Sequence, residues 1–213
     1  MKLTLHSAWR SSAAYRVRIG LNLKGLAYDI APVNLVSSQH LAPAYAALNP
    51  QRLLPALEVD GKILTQSLAI LEWLDETTPR PPLSPADPFD RAVVRSMAQI
   101  IASDIHPVNN LRILRALTEL GVAEPGREAW IGRWITDGFT ALEQMIAEHG
   151  RGFCFGDMPS LADCCLVPQV YNAERFKTDL TPFPALRAVA ARCARHPAFA
   201  AAHPNTQPDA IHA

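Results

Sequence analysis

The chain has 213 residues, of which 49% are hydrophobic and 19% charged, and its 20 Lys and Arg balance its 20 Asp and Glu. This composition is typical of a soluble globular protein with a substantial core. The charge balance does not favour nucleic acid or an anionic membrane as a partner, and no apolar run approaches the roughly 18 residues of a membrane span. With no signal-peptide pattern and no zinc-like cysteine spacing, we expect a cytoplasmic protein without a metal.

The first part of the chain predicts a small mixed α/β unit, in the order strand, helix, strand, helix, hairpin, helix. Apolar periodicity, helix stop signals and the Asp60-Gly61 turn define these elements. They cover residues 2–6, 12–24, 28–33, 38–48, 54–64 and 65–76. The strand–helix–strand start predicts a parallel pair joined by a crossover.

A dense group of prolines follows, which neither a helix nor a central strand tolerates. We therefore predict domains at residues 1–78 and 89–213, joined by a stiff linker at residues 79–88. After the linker all elements are predicted to be helical. The first is a long helix kinked at Pro107, the second ends at Gly150, and the third begins at a capping box, Ser160 to Asp163. The run from there to Val167 is apolar all round, so we expect this helix to be the buried centre of its domain. A further helix contains Leu186 to Cys193, and the tail beyond it has little pattern.

The stretch from Arg10 to Leu21 carries the clearest functional signal. Ser11 and Ser12 stand where the first helix begins, and unpaired backbone N–H groups and the helix dipole favour an anion there. The alternative is that both serines only cap the helix, and the spacing alone leaves that alternative open.

Several short motifs, spread in order over nearly the whole chain, resemble those of zeta-class glutathione transferases, which include maleylacetoacetate isomerase and maleylpyruvate isomerase. They are Arg10-Ser11-Ser12, Tyr15-Arg16-Val17-Arg18-Ile19, Leu48-Asn49-Pro50, Leu54-Pro55, Gln66-Ser67-Leu68-Ala69-Ile70, Leu166-Val167-Pro168-Gln169-Val170, Asn172-Ala173-Glu174-Arg175-Phe176 and Asp179-Leu180-Thr181-Pro182. The resemblance implies an α/β plus all-α fold, with an N-terminal thioredoxin-like glutathione-binding domain and an all-helical C-terminal domain. It also implies a homodimer.

The resemblance further implies residue roles. Ser12, with Ser11 and Arg10 beside it, would be the catalytic group that hydrogen-bonds the glutathione sulfur. Leu54-Pro55 would be a cis-proline turn facing the tripeptide. Arg10 and Arg175 would bind the carboxylates of a dicarboxylic substrate, because arginine pairs with carboxylates in a bidentate way. The glutathione-binding set would be Ser11, Ser12, Arg16, His40, Leu54, Pro55, Gln66, Ser67, His106, Asn110 and Arg112.

One position departs from the family pattern, since Ala13 stands where these proteins usually have cysteine. The sulfur nucleophile is then expected to come from glutathione, acting as a cofactor in the cis–trans isomerisation of maleylacetoacetate. Three alternatives stay open at this point. They are a maleylpyruvate isomerase, a broad-specificity transferase acting on haloacids, and a binding protein of this fold without turnover.

Overall fold

The computed structural model describes residues 1–211. Contacts divide the chain into two units, one of Met1–Leu83 together with the chain from Arg195 onward, and one of Ser84–Ala194. The first break lies within the proline-rich stretch, where Asp75 Oδ1 accepts hydrogen bonds from Lys24 Nζ and from the Leu83 N–H, both at 2.7 Å. The second contact unit ends at Ala194, whereas the helical domain predicted from the sequence runs from residue 89 to residue 213. The division into sequence domains stays a prediction.

Among the described residues, four strands form one mixed sheet in the order β2-β1-β3-β4. The strands are β1 (Leu3–Ser7), β2 (Asp29–Pro32), β3 (Ala56–Val59) and β4 (Lys62–Thr65). Strand β1 pairs parallel with β2, with Leu5 opposite Ile30, and antiparallel with β3. Strands β3 and β4 form an antiparallel hairpin. The predicted crossover and the Asp60-Gly61 hairpin are therefore confirmed.

The α-helices of the described chain fall in both units. They are α1 (Ser12–Leu23), α2 (Pro43–Leu48), α3 (Ser67–Thr77), α4 (Pro88–Gln99), α5 (Leu111–Glu119), α6 (Glu124–His149), α7 (Leu161–Arg175), α8 (Pro184–Ala194) and α9 (Pro197–Ala202). In the first unit α1 packs against α3 and α9. Gly20 allows the close approach of α1 to α3, because a Cβ at this position would overlap the Leu71 side chain.

The predicted helix at 38–48 is wrong as a single element. A 3₁₀ turn, Gln39–Leu41, precedes α2, and Ala42 between them is extended, with ψ of 148°. The reason is local, because the ring of Pro43 disfavours helical geometry in the residue before it.

The predicted long helix kinked at Pro107 is also wrong as a single element. Helix α4 ends at Gln99, and a π-helical segment, Ile100–Ile105, and a 3₁₀ turn, Pro107–Asn109, follow it. Asn110 then caps a new helix, α5, by accepting the N–H groups of Arg112 and Ile113. An Asn side chain that satisfies two free amides starts a helix rather than continuing one.

Helix α7 is buried along nearly its whole length and packs against α4 and α8 within the second unit. Its start is the expected capping box, since Asp163 Oδ2 accepts hydrogen bonds from the Ser160 N–H and hydroxyl at 2.8 and 2.7 Å. The predicted buried central helix is confirmed. Across residues 1–211, no helix combines the length and the apolar character needed to cross a membrane.

The tail beyond Ala194, where the sequence shows little pattern, contains α9 and a 3₁₀ turn, Pro204–Thr206. Helix α9 spans six residues, and its Ala198, Phe199 and Ala202 are buried. So short an element has too few turns to show a helical period in the sequence.

Candidate functional site

The loop after β1 leads directly into α1, where two serines follow Arg10. The Ser11 hydroxyl accepts the Ala14 N–H at 3.3 Å and so caps the helix. Ser12 is only 5% exposed, and no residue among 1–211 hydrogen-bonds its hydroxyl. The first turn of α1 carries no acidic residue. The two serines therefore have different structural roles, and Ser12 retains a donor for a ligand at a helix N-terminus.

A second helix start lies in the same unit, at Gln66 and Ser67. Gln66 has φ of 69° and ψ of 117°, a strained conformation for a residue other than glycine, and no side chain caps α3. Its amide Nε2 donates to Gln51 Oε1 at 2.7 Å. The buried Ser67 hydroxyl accepts a hydrogen bond from Arg16 Nη1 at 3.2 Å. Arg16 therefore links α1 to the beginning of α3.

The segment before β3 contains the expected cis peptide bond between Leu54 and Pro55. The preceding carbonyl, Leu53 O, accepts hydrogen bonds from Tyr45 Oη and Asn49 Nδ2, both at 2.7 Å. Burial raises the pKa of Tyr45 to about 12. Two side chains from the end of α2 therefore hold the turn, and neither was among the site residues expected from the sequence.

Arg10 and His40 lie in the same unit. Arg10 is exposed, its guanidinium lies 5.2 Å from the centre of the Trp9 ring, and it forms no ion pair within residues 1–211. His40 is half-buried in the 3₁₀ turn Gln39–Leu41. Arg10 can therefore reach an anionic ligand, whereas the role of His40 stays a prediction.

The remaining expected site residues lie in the second unit. His106 separates the π-helical segment from the 3₁₀ turn, and Asn110 is occupied as the cap of α5. Arg112 and Arg175 are exposed, and the Arg175 guanidinium lies 4.9 Å from the centre of the Phe176 ring. The capping role of Asn110 is established by its bonds. Contacts of these four residues with a ligand stay predictions.

Protein thiols are remote from solvent. Cys154, Cys164, Cys165 and Cys193 are all free and buried, and Ala13 is nearly buried in α1. Burial raises the pKa of the Cys154 thiol, and so does the neighbouring Asp163 carboxylate. Within residues 1–211, no group of three or more His, Cys, Asp or Glu residues could hold a metal ion. A reactive protein thiolate is therefore not part of the described site.

Comparison with known proteins decides the family. Residues 10–77 match the model of the glutathione S-transferase N-terminal domain, and residues 125–201 match the model of the C-terminal domain. Maleylacetoacetate isomerase of Pseudomonas aeruginosa is 49% identical over 210 residues, which cover 97% of this chain and 98% of the relative. The solved holo structure of maleylpyruvate isomerase, a bacterial zeta-class protein, is 49% identical with a TM-score of 0.95 over 98% of this chain and 100% of that one. The chain belongs to the zeta class of the glutathione S-transferase family.

A third similar protein carries ligands. It is the maleylacetoacetate isomerase of Anaeromyxobacter dehalogenans, whose structure contains dicarboxyethyl glutathione and citrate in the active site. It is 44% identical, with a TM-score of 0.89, over 99% of this chain and 98% of that one. The expected zeta-class membership and transferase fold are thus confirmed.

Besides Tyr45 and Asn49, two further residues of this zeta-class chain were missed by reasoning from the sequence. Arg18 is completely buried in α1 and donates to the carbonyls of Ala8, Trp9 and Ala202. Asp209 accepts the Trp9 N–H at 2.9 Å. A charged residue inside an apolar helix was the available signal for Arg18, whereas the patternless tail offered none for Asp209.

Proposed function

We propose that the protein is a glutathione-dependent isomerase that converts maleylacetoacetate from its cis to its trans form. The observation that carries the proposal is the buried Ser12 hydroxyl, uncommitted at the start of α1, in a chain 49% identical to a maleylacetoacetate isomerase. The second candidate substrate is maleylpyruvate, because a maleylpyruvate isomerase is equally similar, at 49% identity.

The residues of the first unit fit glutathione. Two helix starts, at Ser12 and at Ser67, offer backbone donors without an acidic residue in the first turn. In the proposed complex Ser12, with Ser11 beside it, holds the cysteinyl sulfur, the Leu54-Pro55 turn meets the cysteinyl backbone, and Gln66 with Ser67 binds the γ-glutamyl carboxylate. Arg16, which is bonded to Ser67, belongs to the same binding set. When bound, glutathione supplies a thiolate that adds reversibly to the conjugated double bond and so permits rotation about it.

Ser12 is proposed to keep that sulfur ionised. A free thiol has a pKa near 8.5, and lowering the pKa by about two units takes roughly 2.7 kcal/mol of preferential stabilisation of the anion. A hydroxyl donor and a helix N-terminus contribute about 1 kcal/mol each or somewhat more. Ser12, at the first position of α1, supplies both kinds of stabilisation at one place.

Arg10 and Arg175 are proposed to bind the two substrate carboxylates. Both side chains are exposed, and a planar guanidinium can bind a carboxylate through two parallel hydrogen bonds. The carboxylate ligands in the Anaeromyxobacter dehalogenans structure support a dicarboxylic substrate. We also propose that His40, His106, Asn110 and Arg112 contact glutathione, and that the protein is a homodimer in the cytoplasm.

The test follows the loss of the cis dienone in the presence of a small, catalytic amount of glutathione. We expect many turnovers per glutathione and a constant glutathione concentration. Stoichiometric consumption of glutathione would instead identify a conjugating transferase. No thermal stabilisation by glutathione would identify a protein of this fold that does not use the tripeptide. Parallel assays with maleylacetoacetate and maleylpyruvate then rank the two acids by kcat/KM.

A further inference from the structure

The C-terminal segment of the chain contacts the loop that leads into the candidate site. This segment begins at Arg195 and belongs to the first unit, where α9 packs against α1. Asn22 Nδ2 in α1 donates to Ala198 O at 3.0 Å, which holds α9 in place. The segment then returns to the β1–α1 loop, the stretch from Ala8 to Ser11.

Trp9 in this loop has both of its backbone polar groups held. Its N–H donates to Asp209 Oδ2 at 2.9 Å, and its carbonyl accepts a hydrogen bond from Arg18 Nη2 at 2.9 Å. A charged partner makes each of these bonds stronger than an ordinary amide–amide bond. The peptide groups on both sides of Trp9 are therefore fixed in direction.

Arg18 connects this loop to α9. The guanidinium is completely buried, and it also donates to Ser7 Oγ at 3.0 Å and to Ala202 O at 3.0 Å. A buried cation requires an acceptor for each donor that water cannot reach, so Arg18 cannot shift without losing several bonds. The C-terminal segment thus reaches the loop twice, directly through Asp209 and through Arg18.

The distance along the chain from Trp9 to the reactive groups is short. Arg10 directly follows Trp9, and Ser12 lies three residues after Trp9. The Ser11 N–H donates a hydrogen bond back to Ala8 O at 3.0 Å, which closes a tight turn. A change in the direction of the Trp9 peptide is therefore carried to the Arg10 side chain and to the start of α1. Small displacements of groups that orient a reactant have large effects on binding and rate.

We propose that Asp209 is a positioning residue, which sets the direction of the β1–α1 loop and thereby the placement of Ser12 and Arg10 against glutathione and substrate. This inference rests on the proposed function. A purely structural role would only anchor the end of the chain, and would change stability without changing the ionisation of bound glutathione.

The experiment compares Asp209→Ala with Asp209→Asn in the full-length chain. Glutathione affinity is measured by titration calorimetry, and the pKa of the bound thiol by its ultraviolet thiolate absorbance. We expect Asp209→Ala to weaken glutathione binding by about three- to tenfold, as befits one lost orienting hydrogen bond, and to raise the bound thiol pKa. Asp209→Asn should recover most of the wild-type affinity and lie between Asp209→Ala and wild type, because the amide oxygen can still accept the Trp9 N–H but lacks the carboxylate's charge.

Asp179→Ala is the matched control, because Asp179 likewise accepts a backbone N–H, that of Thr181 at 2.9 Å, but in an exposed turn of the second unit. It should leave glutathione binding and the pKa of the bound thiol unchanged.

Hydrogen exchange adds a measurement in the absence of ligand, in which the Trp9 amide should lose protection in Asp209→Ala but not in Asp209→Asn. Wild-type affinity and thiol pKa in Asp209→Ala would overturn the positioning role. Failure of the wild type itself to bind glutathione would overturn the proposed function as well.

Discussion

Arg16 Nη1 donates a hydrogen bond to the Ser67 hydroxyl at 3.2 Å, and both side chains are almost completely buried. The two residues stand 51 positions apart, one in the first half of α1 and one at the start of α3. This bond joins the two helix starts that we assign to glutathione. The site therefore depends on the packing of α1 against α3. Gly20 allows this packing, because a Cβ at its position would overlap the Leu71 side chain.

Replacing Ser67 tests this link. We expect Ser67→Ala to weaken glutathione binding by about tenfold, because it removes a hydroxyl assigned to the γ-glutamyl carboxylate and an acceptor for Arg16. Titration calorimetry measures the effect. Thr77→Ala, at the other end of α3, is the control, since the Thr77 hydroxyl bonds only the Trp73 carbonyl on an exposed face. Equal affinity in the two variants would remove Ser67 from the site.

The different roles of the two serines predict different phenotypes. Ser12→Ala should raise the pKa of bound glutathione by about one unit and reduce kcat/KM by about ten- to a hundredfold, because a hydrogen bond to the developing anion is lost. Ser11→Ala should instead lower the free energy of unfolding by about 1 kcal/mol through loss of the cap, with the thiol pKa unchanged. The measurements are thiolate absorbance against pH, isomerisation kinetics and urea unfolding. Unchanged isomerisation by Ser12→Ala at saturating glutathione would contradict the thiolate assignment.

The buried cysteines predict resistance to alkylation. All four are free and buried, so reagents in solution cannot reach their thiols. Burial also raises the pKa of Cys154 and of Cys193, which keeps these two thiols protonated. Iodoacetamide added before glutathione should leave activity unchanged, and mass spectrometry should find no modified cysteine in the native protein. Alkylation in denaturant provides the control, where all four should react. Inactivation with modification of one native cysteine would show that a protein thiol takes part.

Tyr45 predicts a change of stability at alkaline pH. Tyr45→Phe should cost about 1 kcal/mol at neutral pH, a modest loss because Asn49 still donates to Leu53 O. Burial raises the folded-state pKa to about 12, above the unfolded value near 10, so the stabilising contribution is complete below pH 10 and declines as pH rises towards 12. Urea unfolding of the wild type and of Tyr45→Phe from pH 7 to 12 measures this contribution as the difference between their free energies of unfolding. A difference that stays constant over that range would contradict the titration of Tyr45.

Local signals were sufficient for several elements. The Asp60-Gly61 turn and the Ser160–Asp163 capping box each act through neighbouring residues, and both are present as expected. The cis bond before Pro55 was expected only from the resemblance, since proline spacing alone favours trans. Where prediction failed, at Ala42 and at Ile100–Ile105, a periodic apolar pattern continued through a change of backbone geometry.

The sequence by itself determined the family, the helix start at Ser11 and Ser12, the hairpin and the buried character of α7. Each of these depends on residues that are close in the chain, or on motifs in a recognisable order. Only the tertiary structure decided that Arg16 meets Ser67, that Tyr45 and Asn49 hold the Leu53 carbonyl, and that Arg18 and Asp209 hold Trp9. Asp209 and Trp9 are 200 positions apart, and such pairs follow from helix packing and the return of the chain, which no local periodicity encodes.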